Sequence, residues 1–269
     1  MDLEKARIDY ERDGVALIPD VFTKQETDFI RVAALGNLNG SDTDKPYRSG
    51  QRLQGVVVND FGRMDGQKFR HQFPAILFWP VLGKKGEYLN FIRTDERTSS
   101  IVRWFLGDDV KQLNNQVYYR MPGDGDAFNW HQDVMFRKGL AEGHSIAEDY
   151  LQTVIVVDEM DGYNAPLIFQ KGSHRWMIET PILKDRAMLR TQPASTIWPK
   201  DRNFPIKANA GDVLIWNVMT IHGSLPNTST RPRMTYMNGF CRARSSEAWP
   251  WYLKNGKVQQ ADPELIPYT

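Results

Sequence analysis

The segment Asn129-Trp130-His131-Gln132-Asp133 sets an imidazole and a carboxylate two positions apart. In an extended strand, residues at that spacing project from the same face, so both side chains can reach one ion. Short His-x-Asp matches arise by chance, and a metal reading requires a second histidine. Thr220-Ile221-His222-Gly223-Ser224 supplies it, on another strand-like stretch far along the chain. Two imidazoles and one carboxylate form a facial triad that leaves three adjacent positions of an octahedral ion open, which suits non-haem Fe(II) oxygen chemistry. His131, Asp133 and His222 are therefore the candidate metal ligands and catalytic residues. Taken alone, each reads as a polar barrel residue bonded to its neighbours. The coincidence of two such strands with a downstream Arg/Ser set favours the triad.

The remaining histidines carry less. His71 sits among Phe69, Arg70 and Phe73, and His144 falls in a loop-like stretch, so both read as structural or exposed. His174 follows Gly172-Ser173 at a turn and is a candidate for ordering the loop beside the site. Cys241 reads as a small buried residue at a strand end, not a nucleophile. Trp130 and Trp216 flank or precede the triad strands and are candidates for the cavity wall.

The elements that must position these residues follow from the hydrophobic pattern. From Leu113 onward, short strand-like runs alternate with turn residues: Leu113–Arg120, Leu151–Asp158, Pro166–Phe169, Val213–Asn217 and Arg233–Cys241. That texture predicts a mainly β fold, a sandwich or jelly roll with helices packed outside. The N-terminal third reads as helical. Thr23 followed three residues later by Glu26 is a capping-box pattern, and Phe29, Ile30, Ala33 and Ala34 supply an apolar face; Asp95 to Leu106 reads as a second helix. Asn39 to Arg52 is polar and contains glycine, which fits a solvated loop better than a lid. Val134 to Tyr150, with Gly139, Gly143 and several charges directly after the metal strand, is a candidate lid that would exclude water.

No repeat or Gly/Ser/Pro-rich linker divides the 269 residues, so one domain is expected over 1–269: a helical part to about residue 110 packed on a β core from about 111 to 245. Hydrophobic residues at 41% and charged residues at 25% suffice for a core without disulfides. Lys and Arg total 34 against 33 Asp and Glu, with no long run of one sign to track a phosphate backbone, so no nucleic-acid partner is expected. A single cysteine and a charged N-terminus, MDLEKARIDYERDG, point to a reducing, cytoplasmic location. The most apolar stretches, Val154–Val157 and Val213–Trp216, fall far short of the roughly 20 residues that span a bilayer, so no membrane partner is expected.

Four stretches resemble the phytanoyl-CoA dioxygenase-like family of Fe(II)/2-oxoglutarate-dependent oxygenases. Met121-Pro122-Gly123 leading to Trp130-His131-Gln132-Asp133 is similar to the family's metal strand, and Gly172-Ser173-His174 to its turn. Ala210-Gly211-Asp212-Val213-Leu214 resembles the entry to the distal histidine. His222-Gly223-Ser224 with Pro226-Asn227 and Arg231-Pro232-Arg233 is the most specific match. Asp13-Gly14-Val15, Ile18 and the Thr23 helix extend the likeness toward the N-terminus. One departure stands out: relatives often carry Asn-Gly-x-Leu where this chain has Asn164-Ala165-Pro166-Leu167, which alters a turn and removes no ligand.

The resemblance implies a double-stranded β-helix (jelly roll, cupin-like) and a dioxygenase using Fe(II), O2 and the cosubstrate 2-oxoglutarate. The implied reaction converts 2-oxoglutarate to succinate and CO2 and hydroxylates a C–H bond. The far carboxylate of the cosubstrate needs a cation, and arginine offers a permanently charged fork. The resemblance assigns that role to Arg233, with Arg231 as the fallback. Pro232 lacks a backbone donor and belongs at or just before the strand's first residue, which favours Arg233 inside the barrel. Ser224 shares the face of His222 and is a second donor. Asn114, Gln116, Tyr118 and Arg120 share one face of the preceding strand. That face either lines the site or meets solvent. Gln116, Tyr118 and Trp130 complete the candidate cofactor-binding set.

Asp133 occupies the position a halide would need, which disfavours halogenation. Desaturation, ring formation or epoxidation would use the same residues, and a non-catalytic metal- or 2-oxoglutarate-binding module is the alternative from another class. No phosphate-cradling glycine loop or basic cluster suits a CoA nucleotide, so the expected substrate is a small or medium organic molecule.

Overall fold

The computed structural model describes residues 1–39, 51–53, 56–59, 75–78, 92–120, 122, 128–136, 146–175, 203–247 and 249–260. Local side-chain chemistry sets where its helices begin. The helix Leu3–Asp13 is capped by Asp2, whose carboxylate accepts from the Lys5 N–H at 2.9 Å. It ends at Gly14, left-handed at φ +80°. The helix Lys24–Asn39 starts with the expected capping box: Glu26 accepts from the Thr23 N–H at 2.7 Å, and the Thr23 hydroxyl accepts from the Glu26 N–H at 3.3 Å. A third helix, Glu96–Leu106, is capped by Asp95.

The strands in chain order are β1 (Val15–Ile18), β2 (Gln51–Leu53), β3 (Val56–Asn59), β4 (Ala75–Phe78), β5 (Val110–Arg120), β6 (Phe128–His131), β7 (Tyr150–Val156), β8 (Leu167–Gln170), β9 (Asn203–Pro205), β10 (Val213–Asn217), β11 (His222–Ser224), β12 (Arg233–Arg242), β13 (Trp251–Lys254) and β14 (Lys257–Val258). The major sheet runs β1-β10-β7-β12-β5-β4-β3-β2, with the β13–β14 hairpin added on β5; the minor sheet runs β6-β11-β8-β9. Together they form the double-stranded β-helix. The N-terminal third is less purely helical than its sequence suggests, because β1 to β4 extend the major sheet at both ends. Three of those strands have four residues and one has three, too few for alternation to stand out from chance.

Alternation along the central strands divides the core. Val154 and Val156 of β7 with Leu214 and Trp216 of β10 turn inward, meeting Leu167 and Phe169 of β8 between the sheets. Leu151 and Ile155 with Val213 and Ile215 turn outward under Ile30, Ile101, Val102 and Phe105 of the helices. Both faces are covered, so β7 and β10 are buried along their whole length, and each large apolar side chain placed there contributes about 1.5–3 kcal/mol. Cys241 is buried in β12, as expected, and burial pushes its thiol up to about 12. Among the described residues, no helix is long and apolar enough to cross a membrane.

Candidate metal centre

The minor sheet brings the two histidines together. On the antiparallel β6–β11 pair, His222 lies directly opposite His131, and their ring centroids are 4.2 Å apart. Ser224 pairs with Phe128 across a register irregularity, and β8 flanks β11 on its other side. The carboxylate arrives differently from expectation. β6 ends at His131, and Asp133 opens a short 3-10 helix, Asp133–Phe136, so the two do not project from one continuous strand. Contacts to the β10–β11 turn hold this segment: the Gln132 amide donates to the Met219 carbonyl at 2.6 Å, and the Val134 N–H to the Val218 carbonyl at 3.2 Å.

The result is a compact donor set. One ligand atom from each of His131, Asp133 and His222 lies within 4.8 Å of the others. Asp133 Oδ1 is 3.8 Å from His131 Nε2, and Asp133 Oδ2 is 3.8 Å from His222 Nε2. All three side chains are at most 9% exposed. His222 Nδ1 lies 2.9 Å from the Thr220 carbonyl, which requires the proton on Nδ1 and leaves the Nε2 lone pair for a cation. Phe169 stacks on the His222 ring at 5.5 Å and 18°, fixing its plane. The Trp216 indole N–H donates to Asp133 Oδ2 at 3.0 Å inside the core. Two nitrogens, a carboxylate and this spacing fit a divalent transition metal.

Behind β11, Ser173 ties the turn: its hydroxyl accepts from the Ile221 N–H at 2.8 Å and donates to the Gln170 carbonyl at 2.7 Å. His174, a candidate from sequence for ordering the loop beside the site, lies against Gly14 with Nε2 3.2 Å from the Glu11 carbonyl, and burial lowers its pKa. A side chain at Gly14 would sit 2.4 Å from His174 Nδ1 and 2.5 Å from the Thr220 hydroxyl, so glycine is required there for space as well as for its left-handed φ. The Gly14 carbonyl accepts from that hydroxyl at 2.7 Å.

Arg233 opens β12 and is 3% exposed; its Nε donates to the Ala165 carbonyl at 3.0 Å and its Nη1 to the Thr235 hydroxyl at 3.1 Å. Arg231 lies outside, its side chain 51% exposed and paired with Glu159 and Asp161. The departure at Ala165 therefore bears on the site: a buried alanine takes φ +58°, where glycine is at ease, and aims its carbonyl at Arg233. Arg120 lies opposite Arg233 on the β5–β12 ladder and donates to the Ser224 hydroxyl at 2.8 Å. Sequence put Arg120 on a face of interest and gave it no bond; the sequence holds no signal for this one.

Tyr118 is half-buried on β5, opposite Thr235. Trp130 is half-buried on β6, and alternation turns it to the face opposite His131. The backbone of Gln116 pairs with Met237, while its side chain lies outside the described residues, as do His71, His144, residues 40–50 of the expected loop and 137–145 of the candidate lid.

Comparison with known proteins identifies the family and the fold. The family model described as phytanoyl-CoA dioxygenase (PhyH) matches residues 10–235. The ectoine dioxygenase of Halomonas elongata is 28% identical over 247 residues, covering 86% of this chain and 68% of that protein. A probable alpha-ketoglutarate-dependent hypophosphite dioxygenase of Stutzerimonas stutzeri is 28% identical over 161 residues, covering 58% of this chain and 52% of that protein. The solved non-haem alpha-ketoglutarate-dependent carbocyclase SnoK from nogalamycin biosynthesis superposes with a TM-score of 0.66 at 15% identity, over 97% of this chain and 94% of that one, a likeness of fold. Because the family match runs through both strands that carry the triad, and the fold agrees with it, the chain belongs to the phytanoyl-CoA dioxygenase family of Fe(II)/2-oxoglutarate-dependent dioxygenases.

Proposed function

We propose that the chain hydroxylates an unactivated C–H bond of a small or medium organic molecule, consuming O2 and 2-oxoglutarate and releasing succinate and CO2. The observation that carries this reading is the buried convergence of His131, Asp133 and His222, with one ligand atom of each within 4.8 Å of the others. Fe(II) held there would activate O2 at the expense of 2-oxoglutarate decarboxylation. His222, its Nδ1 proton engaged by Thr220, would present Nε2; His131 would present the facing nitrogen and Asp133 a carboxylate oxygen.

Arg233 would neutralise the far carboxylate of 2-oxoglutarate within the barrel. Ser224 accepts from Arg120, so its own proton stays available to donate to that carboxylate. Burial of His131, Asp133 and His222 would limit the access of water to a metal held there. Tyr118, Gln116 and Trp130 complete the proposed cosubstrate surroundings, and residues 1–269 form one domain in this reading, supported by the pairing of β1 with β10. The single buried Cys241 agrees with a reducing, cytoplasmic location.

Relatives named for ectoine and for hypophosphite support a small substrate over an acyl-CoA. The test is to supply the metal-loaded chain with 2-oxoglutarate, O2 and a panel of small compounds, following succinate and product mass together. Substrate-dependent succinate with a product gaining one oxygen atom is expected. A product losing two hydrogens would replace hydroxylation by desaturation or ring closure. A chain that binds metal and 2-oxoglutarate but releases no succinate with any compound would be a binding module.

A further inference from the structure

We propose that Trp216 is a positioning residue for the metal carboxylate, holding Asp133 so that it binds the ion through one oxygen. This rests on the metal-site reading above and adds to it a group outside the triad. Asp133 follows β6 and begins a 3-10 helix, so no strand ladder fixes its side chain. A bond to the carboxylate comes from the opposite sheet: Trp216 Nε1–H donates to Oδ2 at 3.0 Å, with both residues buried.

That donor is itself buried and packed on several sides. Trp216 sits in the middle of the major sheet, paired with Val15 of β1 and Gln152 of β7, and is fully buried. Its ring meets Phe169 edge-on at 5.4 Å and the His222 ring at 5.2 Å. One indole thus touches two of the three candidate ligands. The carboxylate presents one oxygen to each imidazole, at 3.8 Å in both cases. Attachment through both oxygens would occupy a coordination position that the cosubstrate and O2 need. A fixed N–H on Oδ2 occupies a lone pair of that oxygen and sets the plane of the carboxylate, which favours attachment through one oxygen. Phenylalanine keeps an aromatic ring against the same neighbours, though a smaller one, and has no proton to donate.

The experiment compares the full chain with Trp216→Phe. Metal affinity is read by competition with a chelator, using Co(II), whose visible absorption reports coordination. The expected result is a metal Kd weaker by about 10–100-fold, the usual cost of losing a partner of a metal ligand. It is accompanied by a changed Co(II) spectrum and a melting temperature that falls more for the loaded protein than for the metal-free one. An unchanged Kd and spectrum in a folded variant would overturn the proposal while leaving the triad intact. A parent chain that binds no Co(II) would defeat the metal-site reading and this one with it. Should the variant fail to fold, the parent chain labelled with 15N at its indoles decides: of eight tryptophans, one slowly exchanging N–H signal must shift when Zn(II) binds. The absence of any such shift overturns the proposal.

Discussion

Arg231 and Arg233 stand on either side of Pro232, and replacing each with glutamine separates a buried cation from an exposed one. Arg233 is 3% exposed and held by the Ala165 carbonyl and the Thr235 hydroxyl, so its charge can be matched by a carboxylate in a site with little water. Removing one partner of such a pair costs roughly 2–5 kcal/mol. Arg231 is half exposed and paired with the surface carboxylates Glu159 and Asp161, where an ion pair contributes roughly 0–1 kcal/mol. On that scale Arg233→Gln weakens 2-oxoglutarate binding by roughly 30- to several-thousand-fold, and Arg231→Gln by no more than about five-fold. Titrating 2-oxoglutarate into each metal-loaded variant without oxygen isolates binding from turnover. If Arg231→Gln abolished binding and Arg233→Gln left it intact, the assignment of the buried arginine to the cosubstrate would be wrong, whatever became of the triad.

Further outcomes follow from other contacts. Asp133→Ala should lose tight binding of a divalent metal, and chelation should lower the melting temperature of the parent chain but leave that of the variant unmoved; equal shifts in both would place the metal elsewhere. Glu26 is held down at about 2, chiefly by its hydrogen bond from Arg97, below the ordinary 4.5. A depressed carboxylate stabilises the fold above its unfolded pKa and loses that contribution as pH falls. Glu26→Gln should therefore cost about 2–4 °C of melting temperature at neutral pH, and the difference should shrink as pH drops from 4.5 toward 2; a constant difference would contradict the link. Cys241, buried and with its thiol pushed up to about 12, should resist alkylation at pH 8 until the chain unfolds, as mass spectrometry would show; stoichiometric labelling of the folded protein would refute its burial.

Sequence reading succeeded where the determining physics is local. Thr23 and Glu26 are three residues apart, and their reciprocal bonds can be read from that spacing alone. Val213–Asn217 was readable as a strand because it is buried on both faces and hence apolar from Val213 to Trp216. The same local logic misjudged Asp133. Two-residue spacing suggested one strand face, whereas the chain leaves β6 after His131 and contacts from residues 216 to 219 set the carboxylate. The Trp216 bond spans 83 positions and the Arg120 bond to Ser224 spans 104, distances at which no periodicity in one sequence reports a contact. The strands β2 to β4 escaped notice for a different reason. They are short, and pairing with a neighbour in the sheet, rather than their own pattern, defines them.

The Gly14 carbonyl has a consequence for the order in which the protein assembles. It accepts from the Thr220 hydroxyl across 206 positions and from the Asn217 N–H, while the Gly172 N–H donates to the neighbouring Asp13 carbonyl. A chain leaving the ribosome thus exposes β1 long before the residues that brace it, and closing so large a loop comes late in folding. Thr220 is also the residue whose carbonyl fixes the His222 tautomer. Competence to hold a metal ion should therefore appear with the last docking event, and intermediates in which β6, β11 and the 3-10 turn bearing Asp133 have already formed should still bind metal poorly until the first turn after the N-terminal helix has found the far end of the chain.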